Sequence, residues 1–173
     1  MLRGRKVGLR ARIESDVPVL QGELYNDVAT FSRASSRPWQ PISPGRPGAS
    51  YGMADPDPHR AAFSVVTLDG DELVGACGLW AIDPHNRSAG LGITLLPNAR
   101  GRGLAVDIVL TLCAYGFQTR GLHRIQIDTL ADNAPMRATA ARAGFTEEAV
   151  RRQAVWVSGA FLDHVVYGRL AGK

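Results

Sequence analysis

Several residue types and patterns are scarce in this sequence of 173 residues, and each absence excludes a class of protein. Only two cysteines occur, Cys77 and Cys113, and both lie in apolar segments, so we expect buried free thiols rather than a disulfide or a metal pair. No apolar run is as long as a membrane-spanning helix. The basic start of the chain lacks the apolar core and cleavage site of a secretory signal. We therefore expect a cytoplasmic protein without a membrane anchor or a bound metal.

Lysine is also scarce, because only Lys6 and Lys173 accompany the arginines that give a formal net charge of +4. That charge suits a polyanionic ligand such as a nucleotide cofactor, although a codon preference for arginine would give the same composition. The arginines are spread along the chain without a basic-aromatic motif, so nucleic acid is not an expected partner. A P-loop motif is absent, and Val106 stands where a dinucleotide-binding fingerprint requires a third Gly or Ala.

The chain does contain the alternating and apolar segments typical of a single mixed α/β domain over residues 1–173. The strands that we predict cover residues 7–13, 63–68, 73–82, the run that begins at Gly90, the segment around Ile125 and Ile127, and residues 145–157 and 161–170. Helices are predicted after the candidate caps Ser15 and Asp16, after the loop at residues 100–105, and from Asn133 to Ala143 with Gly144 as the C′ residue.

Residues 30–59 interrupt this pattern with a segment rich in proline, serine and glycine. Six of the ten prolines lie there, which excludes a long helix or a central strand. Irregular segments of this length in compact domains are usually functional lids or disordered connections. Trp39 and Tyr51 favour partial order, since a purely solvated linker seldom carries such residues.

The loop at residues 100–105 carries the clearest functional signal, because it lies where a strand ends and a long helix begins. Gly101 and Gly103 let the backbone turn tightly and direct consecutive amide groups at a ligand. The helix dipole favours an anion at this position. Arg100 and Arg102 add planar donors that suit phosphate oxygens. The loop therefore predicts a phosphate site, with a solvated turn that binds no ligand as the alternative.

Three motifs in this order resemble the GNAT superfamily of acyl-CoA-dependent N-acyltransferases. The loop sequence R-G-R-G-L-A matches the [QR]-x-x-G-x-[GA] signature, and Asn133 with R-A-G-F at 142–145 resembles the segment N-x(8)-[KR]-x-G-F. The closing W-V-S-G-A-F-L-D-H-V-V-Y resembles the RimJ/RimL-like branch, which acetylates ribosomal protein N-termini. The resemblance implies a mostly antiparallel central sheet that splays at the cofactor strand and is flanked by helices.

The resemblance also implies a reaction, in which a primary amine of a protein N-terminus or a small molecule attacks acetyl-CoA directly in a ternary complex. The cofactor-binding residues that it implies are Ile93, Thr94, Leu95 and Leu96 on the pantetheine arm, Arg100, Gly101, Arg102, Gly103, Leu104 and Ala105 on the pyrophosphate, and Asn133 and Arg142 beside the arm. The Leu95 amide would stabilise the oxyanion. Another donor such as succinyl-CoA, or a non-catalytic acyl-CoA sensor, is the alternative, and the family is compatible with a homodimer.

The general base is less well defined, because Gly90 and Val155 stand where relatives often carry Glu, and Ala140 replaces an occasional Tyr acid. The remaining candidates are Asp83, His85, Asp128 and His164. His85 is preferred, since an imidazole titrates near neutrality, with an exposed turn histidine as the alternative.

Aromatic side chains and one acid are the candidates for an acceptor pocket. They are Trp39, Tyr51, Trp80 and Asp83. For Trp80 packing in the core is the favoured interpretation, for Trp39 both roles stay open, and Asp83 before Pro84 is also typical of a turn.

Overall fold

The structure is a computed structural model that describes residues 1–35, 37–43, 46, 49–53 and 55–172. Its strands there are β1 (Leu2–Arg3), β2 (Val7–Arg10), β3 (Ala61–Thr67), β4 (Leu73–Asp83), β5 (Ser88–Leu95), β6 (Arg124–Leu130), β7 (Thr146–Val157) and β8 (Ala160–Leu170). The helices are α1 (Asp16–Leu20), α2 (Val28–Ala34), α3 (Ala105–Ala114) and α4 (Ala134–Arg142). A π-helical turn extends α1 over Gln21–Tyr25 and another extends α3 over Tyr115–Thr119.

All the strands belong to one sheet, in the order β1-β2-β3-β4-β5-β6-β8-β7. Every neighbouring pair is antiparallel except β5 and β6, which run parallel. These two strands pair only from Ser88 with Arg124 to Gly90 with Gln126. Beyond Gly90 they separate, and we call the space between them the β5–β6 gap. The predicted mixed, mostly antiparallel sheet that splays at one strand is therefore confirmed.

The two faces of the sheet carry different helices. Phe63 packs edge-on against Tyr115 in the extension of α3, whereas the next residue, Ser64, donates a hydrogen bond to Asp16 of α1. Successive strand residues point to opposite faces, and α3 also contacts α4. We therefore distinguish an α3 face, which carries α3 and α4, from an α1 face. No helix in the described ranges is long and apolar enough to cross a membrane.

The core lies between the sheet and its helices, as the apolar periodicity predicts. Ile125 and Ile127 are almost completely buried, and their neighbours in β6 are partly exposed. Cys77 and Cys113 are both buried free thiols, which confirms that prediction. Burial raises the pKa of both thiols, that of Cys113 to about 11, so they remain protonated and unreactive near neutral pH.

The start of the chain differs from the prediction. The first long strand ends at Arg10, not at residue 13, because the Ile13 amide donates to the carboxylate of Asp16 and not to a neighbouring strand. Asp16 does not act as a helix cap. It is buried, accepts two hydrogen bonds from Arg10 and one from Ser64, and so ties α1 to the sheet. The Ser15 side chain makes no capping hydrogen bond either.

The proline-rich segment is shorter at its start than residues 30–59, because α2 extends to Ala34. Asp27 caps this helix by accepting a hydrogen bond from the Thr30 amide. Within the described residues the rest of the segment contains neither a helix nor a strand, as predicted. Pro44 and Pro47 lie outside the described residues.

Candidate functional site

The backbone of β5 offers unpaired polar groups along the β5–β6 gap. The Leu96 amide donates to the Val74 carbonyl at 3.0 Å, in the register of the β4–β5 ladder. In an antiparallel ladder, consecutive residues direct both backbone groups alternately toward the partner strand and away from it. Ile93 and Leu95 therefore direct their N–H and C=O groups away from β4 and into the gap. Thr94 and Leu96, also predicted to hold the pantetheine, direct theirs toward β4.

The gap leads to the glycine-arginine loop, whose backbone has the predicted conformation. Gly101 has φ +74° and Gly103 has φ +70°, values that other residues adopt only with strain. Helix α3 begins directly afterwards at Ala105, and Leu104 precedes it as the cap residue. Within the described chain, none of the amides of residues 101–105 donates a hydrogen bond to another group. Several unpaired N–H groups thus converge at a helix N-terminus, a geometry that binds anions.

The two arginines of the loop are already engaged. Arg100 donates from Nε to the Leu95 carbonyl at 3.2 Å, which fixes it at the end of the gap. Arg102 makes a bidentate ion pair with Glu72 on the turn between β3 and β4, at 3.0 to 3.1 Å. This pair is about half exposed, so an incoming phosphate could compete with Glu72 for Arg102 at little cost.

A carboxylate in the first turn of α3 holds the chain segment that precedes β2. Asp107 accepts hydrogen bonds from the backbone amides of Arg5, Lys6 and Val7 at 3.0, 2.8 and 3.1 Å. We call this arrangement the Asp107 clasp. It brings Lys6 beside the loop, since a Cβ built on Gly103 would lie 3.8 Å from the Lys6 ammonium nitrogen. Sequence analysis missed both residues, because an acid in a first helical turn has an ordinary role in the helix dipole.

Helix α4 lies on the same face as α3 and contributes the other two predicted cofactor residues. Asn133 caps α4 by accepting a hydrogen bond from the Met136 amide at 3.3 Å, and its Nδ2 donates to Thr129. The predicted capping role is thus confirmed. Gly144 has φ +79°, as expected of a C′ residue, and Arg142 is exposed in the last turn.

Trp80 does not pack in the core, contrary to the favoured interpretation, because 46% of it is exposed. It pairs with Gly90 across the β4–β5 ladder, and its indole covers the position where a Gly90 side chain would stand. Ala76 pairs with Ser64, so alternation along β4 puts Trp80 and Gly90 on the α1 face. Both line a cleft of about 190 Å³ with Gln126 and Arg124.

Asp128 is the predicted acid that lies beside the gap. It follows Gln126, the last β6 residue paired with β5, by two positions and therefore shares its face. Gln126 donates from Nε2 to both Asp128 carboxylate oxygens at 3.0 Å. Because Gln126 pairs with Gly90, Asp128 lies on the α1 face beyond Trp80.

Asp83 and His85 occupy the turn between β4 and β5, beyond the closed end of the gap. Asp83 accepts hydrogen bonds from the backbone of Asn86 and His85 and from the Asn86 amide side chain, and these bonds lower the pKa of its carboxyl. The pattern is that of an Asx turn, which stabilises the hairpin. The remaining candidate, His164, lies on β8 opposite Leu130.

The aromatic residues of the proline-rich segment pack on the α1 face. Trp39 donates from Nε1 to the Tyr25 carbonyl at 3.0 Å and lies against the Tyr25 ring, so it anchors its segment to the extension of α1. Tyr51 lies beside Thr94 of β5, and burial raises the pKa of its hydroxyl. Arg12 lies over the Tyr51 ring and donates to the Gly52 carbonyl. In the described residues, no group of three His, Cys, Asp or Glu side chains is arranged to hold a metal ion.

Comparison with known proteins identifies the family of this fold and loop. Residues 6–146 match the family model described as acetyltransferase (GNAT) domain. The chain is similar to an uncharacterized N-acetyltransferase, p20, of Bacillus licheniformis, with 31% identity over 108 residues, 62% of this chain and 61% of that protein. It is also similar to the ribosomal-protein-serine acetyltransferase of Escherichia coli K12, with 30% identity over 100 residues, 58% of this chain and 56% of that protein.

A solved structure extends the likeness of the fold to nearly the whole chain. Spermidine N-acetyltransferase from Vibrio cholerae, in complex with CoA and spermine, superposes with a TM-score of 0.75 and 19% identity over 96% of both chains. The chain spans less than two thirds of the length of the curated relatives that it matches. The family model, in contrast, covers both the loop and most of the sheet. This chain therefore belongs to the GNAT acetyltransferase family.

Proposed function

We propose that this protein transfers an acetyl group from acetyl-CoA to a primary amine by direct attack in a ternary complex. The observation that carries the proposal is the continuity between two sets of unpaired backbone groups. The N–H and C=O groups of Ile93 and the amide of Leu95 face the β5–β6 gap unpaired, the Leu95 carbonyl accepts from Arg100, and the gap ends at the unpaired amides of residues 101–105. A pantetheine arm can complete the ladder of β5 while the attached pyrophosphate meets the loop and the α3 dipole.

The reacting carbon would lie along the same strand. The Leu95 amide is our candidate for the oxyanion donor, because it faces the gap and is fixed by the register of β5. Arg100 donates a hydrogen bond to the Leu95 carbonyl, and this contact restrains the end of β5. On the other side of the gap, Asn133 and Arg142 of α4 would contact the cofactor arm.

Asp128 is the base that we propose in place of His85. The attacking amine must lose a proton, and Asp128 lies on the open part of β6 whereas His85 lies beyond the paired part. The amine nitrogen attacks the thioester carbonyl carbon, and the tetrahedral intermediate collapses with cleavage of the C–S bond. CoA leaves as the thiolate, and the proton from nitrogen passes to the carboxylate or through water to the sulfur.

The acceptor would approach from the α1 face, between Trp80 and Tyr51. Aromatic rings beside a carboxylate suit an ammonium group, through cation–π attraction and a salt bridge. The relatives act on two kinds of amine by name, a ribosomal protein and spermidine. Both kinds are primary amines, so an N-terminal Ser peptide and a polyamine are the first acceptors to test.

The test measures thiol release when the purified protein is mixed with acetyl-CoA and either acceptor, with succinyl-CoA as a second donor. Gly103→Glu should abolish release, since a carboxylate would enter the phosphate site at a residue with φ +70°. Gly159→Glu is the matched control, because Gly159 has φ +93° in the β7–β8 turn far along the chain from the loop. Asp128→Asn should lower kcat by about 10²-fold or more while acetyl-CoA still binds.

Three results would contradict parts of this proposal. Tight binding of acetyl-CoA without turnover of any amine would favour a sensor. Faster turnover with succinyl-CoA than with acetyl-CoA would show that acetyl-CoA is not the preferred donor. Equal losses in the Gly103→Glu and Gly159→Glu variants would refute the assignment of the loop.

A further inference from the structure

A second cleft adjoins the phosphate loop on the side of β2 and β3, and the mechanism above does not use it. Its volume is about 400 Å³, within the range of ligand pockets in proteins. Arg5, Lys6 and Arg102 line it, with Thr67 and Asp69 from the end of β3 and the turn that follows. Its position next to Gly103 makes it continuous with the site that we propose for the pyrophosphate.

The backbone of Lys6 is held from both sides. Its amide donates to Asp107 at 2.8 Å, and its carbonyl accepts from the Leu68 amide at 3.0 Å. The backbone of Lys6 is therefore held between the first turn of α3 and Leu68, which follows β3. Its side chain ends beside Gly103, where the ammonium nitrogen lies 3.8 Å from the position of a Cβ atom.

The charges of the cleft are divided between paired and unpaired groups. Arg102 is neutralised by Glu72, and the Asp107 carboxylate is occupied by three backbone amides. The Lys6 ammonium and the Arg5 guanidinium have no ion-pair partner within the described part of the chain. Asp69 also lines the cleft and is the acid that an anion would have to avoid. The part of the cleft beside Gly103, where the Lys6 side chain ends, therefore attracts an anion.

We infer that this cleft binds the 3′-phosphate of the acyl-CoA nucleotide, with Lys6 as its principal contact and Arg5 as a second cation. The inference rests on the proposed function, since it names a further subsite for the same cofactor. Pyrophosphate on the amides of residues 101–105 would leave the attached ribose beside Gly103, within reach of the Lys6 side chain. A compact ammonium is suited to a phosphate monoester at a partly exposed site, where it acts as a point charge.

The test compares CoA with 3′-dephospho-CoA by titration calorimetry at low salt. Lys6→Gln should weaken CoA binding about fivefold to tenfold, because one charge-assisted contact at an exposed site is lost. The same variant should change the affinity for 3′-dephospho-CoA by less than about twofold. Lys6→Arg should restore most of the affinity for CoA. Arg3→Gln is the matched control, because it removes one exposed positive charge three residues away and should change neither affinity.

The outcomes separate this inference from the proposed function. If Lys6→Gln weakened the binding of CoA and of 3′-dephospho-CoA equally, the 3′-phosphate assignment would be overturned, because Lys6 would then contact a group that both ligands share. Unchanged affinity for both ligands would overturn it as well. If the unmodified protein bound neither ligand, the proposed function itself would fail. Unfolding temperatures of the variants, measured without ligand, show that a loss of binding does not reflect unfolding.

Discussion

The contact between Trp80 and Gly90 can be tested as an energetic coupling. Gly90 has an ordinary strand conformation, so an alanine there is not strained by its backbone. Its methyl group would overlap the indole ring of Trp80, and such overpacking costs about 1–3 kcal/mol. When Trp80 is replaced by alanine the overlap disappears, and Gly→Ala within a strand should then stabilise by about 0.5–1 kcal/mol. We therefore expect a coupling free energy of about 1.5–4 kcal/mol between the two positions.

The assay is urea unfolding of the unmodified protein, Gly90→Ala, Trp80→Ala and the double variant, with free energies of unfolding extrapolated to water. Gly92→Ala supplies the control, since Gly92 lies on the same strand and face and its methyl would meet only Trp80 Nε1, at 3.9 Å. The reasoning would be refuted if Gly90→Ala cost the same with and without the indole. It would also be refuted if Gly92→Ala were as costly as Gly90→Ala.

Three further predictions concern stability and thiol reactivity. Asp107→Ala should lower the free energy of unfolding by about 2–4 kcal/mol, because three backbone amides lose a charged acceptor. Urea titration measures this loss. Glu23→Ala is the control, because Glu23 is exposed on the π-helical turn that extends α1 and its replacement should change the free energy of unfolding little. Burial opposes ionisation of Asp16, but hydrogen bonds from Arg10 and from the Ile13 amide outweigh the effect of burial and lower the pKa of Asp16 below its ordinary value of 3.8. The folded state is therefore stabilised fully above pH 3.8, and this stabilisation is lost as the pH falls through the pKa of Asp16 in the folded protein. Thermal unfolding between pH 2 and 6 should therefore show a smaller acid-induced loss in Asp16→Asn, and an unchanged loss would contradict the ion pair. Cys77 and Cys113 should react with a thiol reagent at neutral pH only after denaturation, and rapid reaction of the native protein would contradict their burial.

The sequence was most informative where one periodicity determines both local structure and burial. The alternation around Ile125 predicts β6, and the loop glycines predict a turn at a helix start, because positive φ values are accessible to glycine at low cost. Asn133 and Gly144 mark the two ends of α4 for similar local reasons. In each case the physical cause lies within a few residues of the feature, so no knowledge of distant contacts is needed.

The features that sequence analysis missed depend on contacts between distant residues. Trp80 lies in an apolar run and so suggests core packing, but it is half-exposed and its indole lies over Gly90 of the neighbouring strand, a contact that local patterns do not show. The position of Asp16 predicts a helix cap, but in the structure its carboxylate oxygens accept hydrogen bonds from Arg10 and Ser64. The choice among the candidate bases stays a prediction: the chemistry of His85 suits the role, and our proposal of Asp128 instead uses the point at which β5 and β6 separate, which local patterns do not reveal.

The Asp107 clasp also bears on how the protein is made. It joins the amides of residues 5–7 to a carboxylate about 100 residues later, so these amides must wait until α3 has been synthesised before they meet their partner. Long-range closures of this kind slow folding more than they weaken the final state, because the entropy of closing a chain grows only with the logarithm of its length. Lys6 reaches the glycine-arginine loop only when this closure is complete. The CoA affinity that we propose should therefore appear late in refolding, after β3, β4 and β5 have formed their local hairpins.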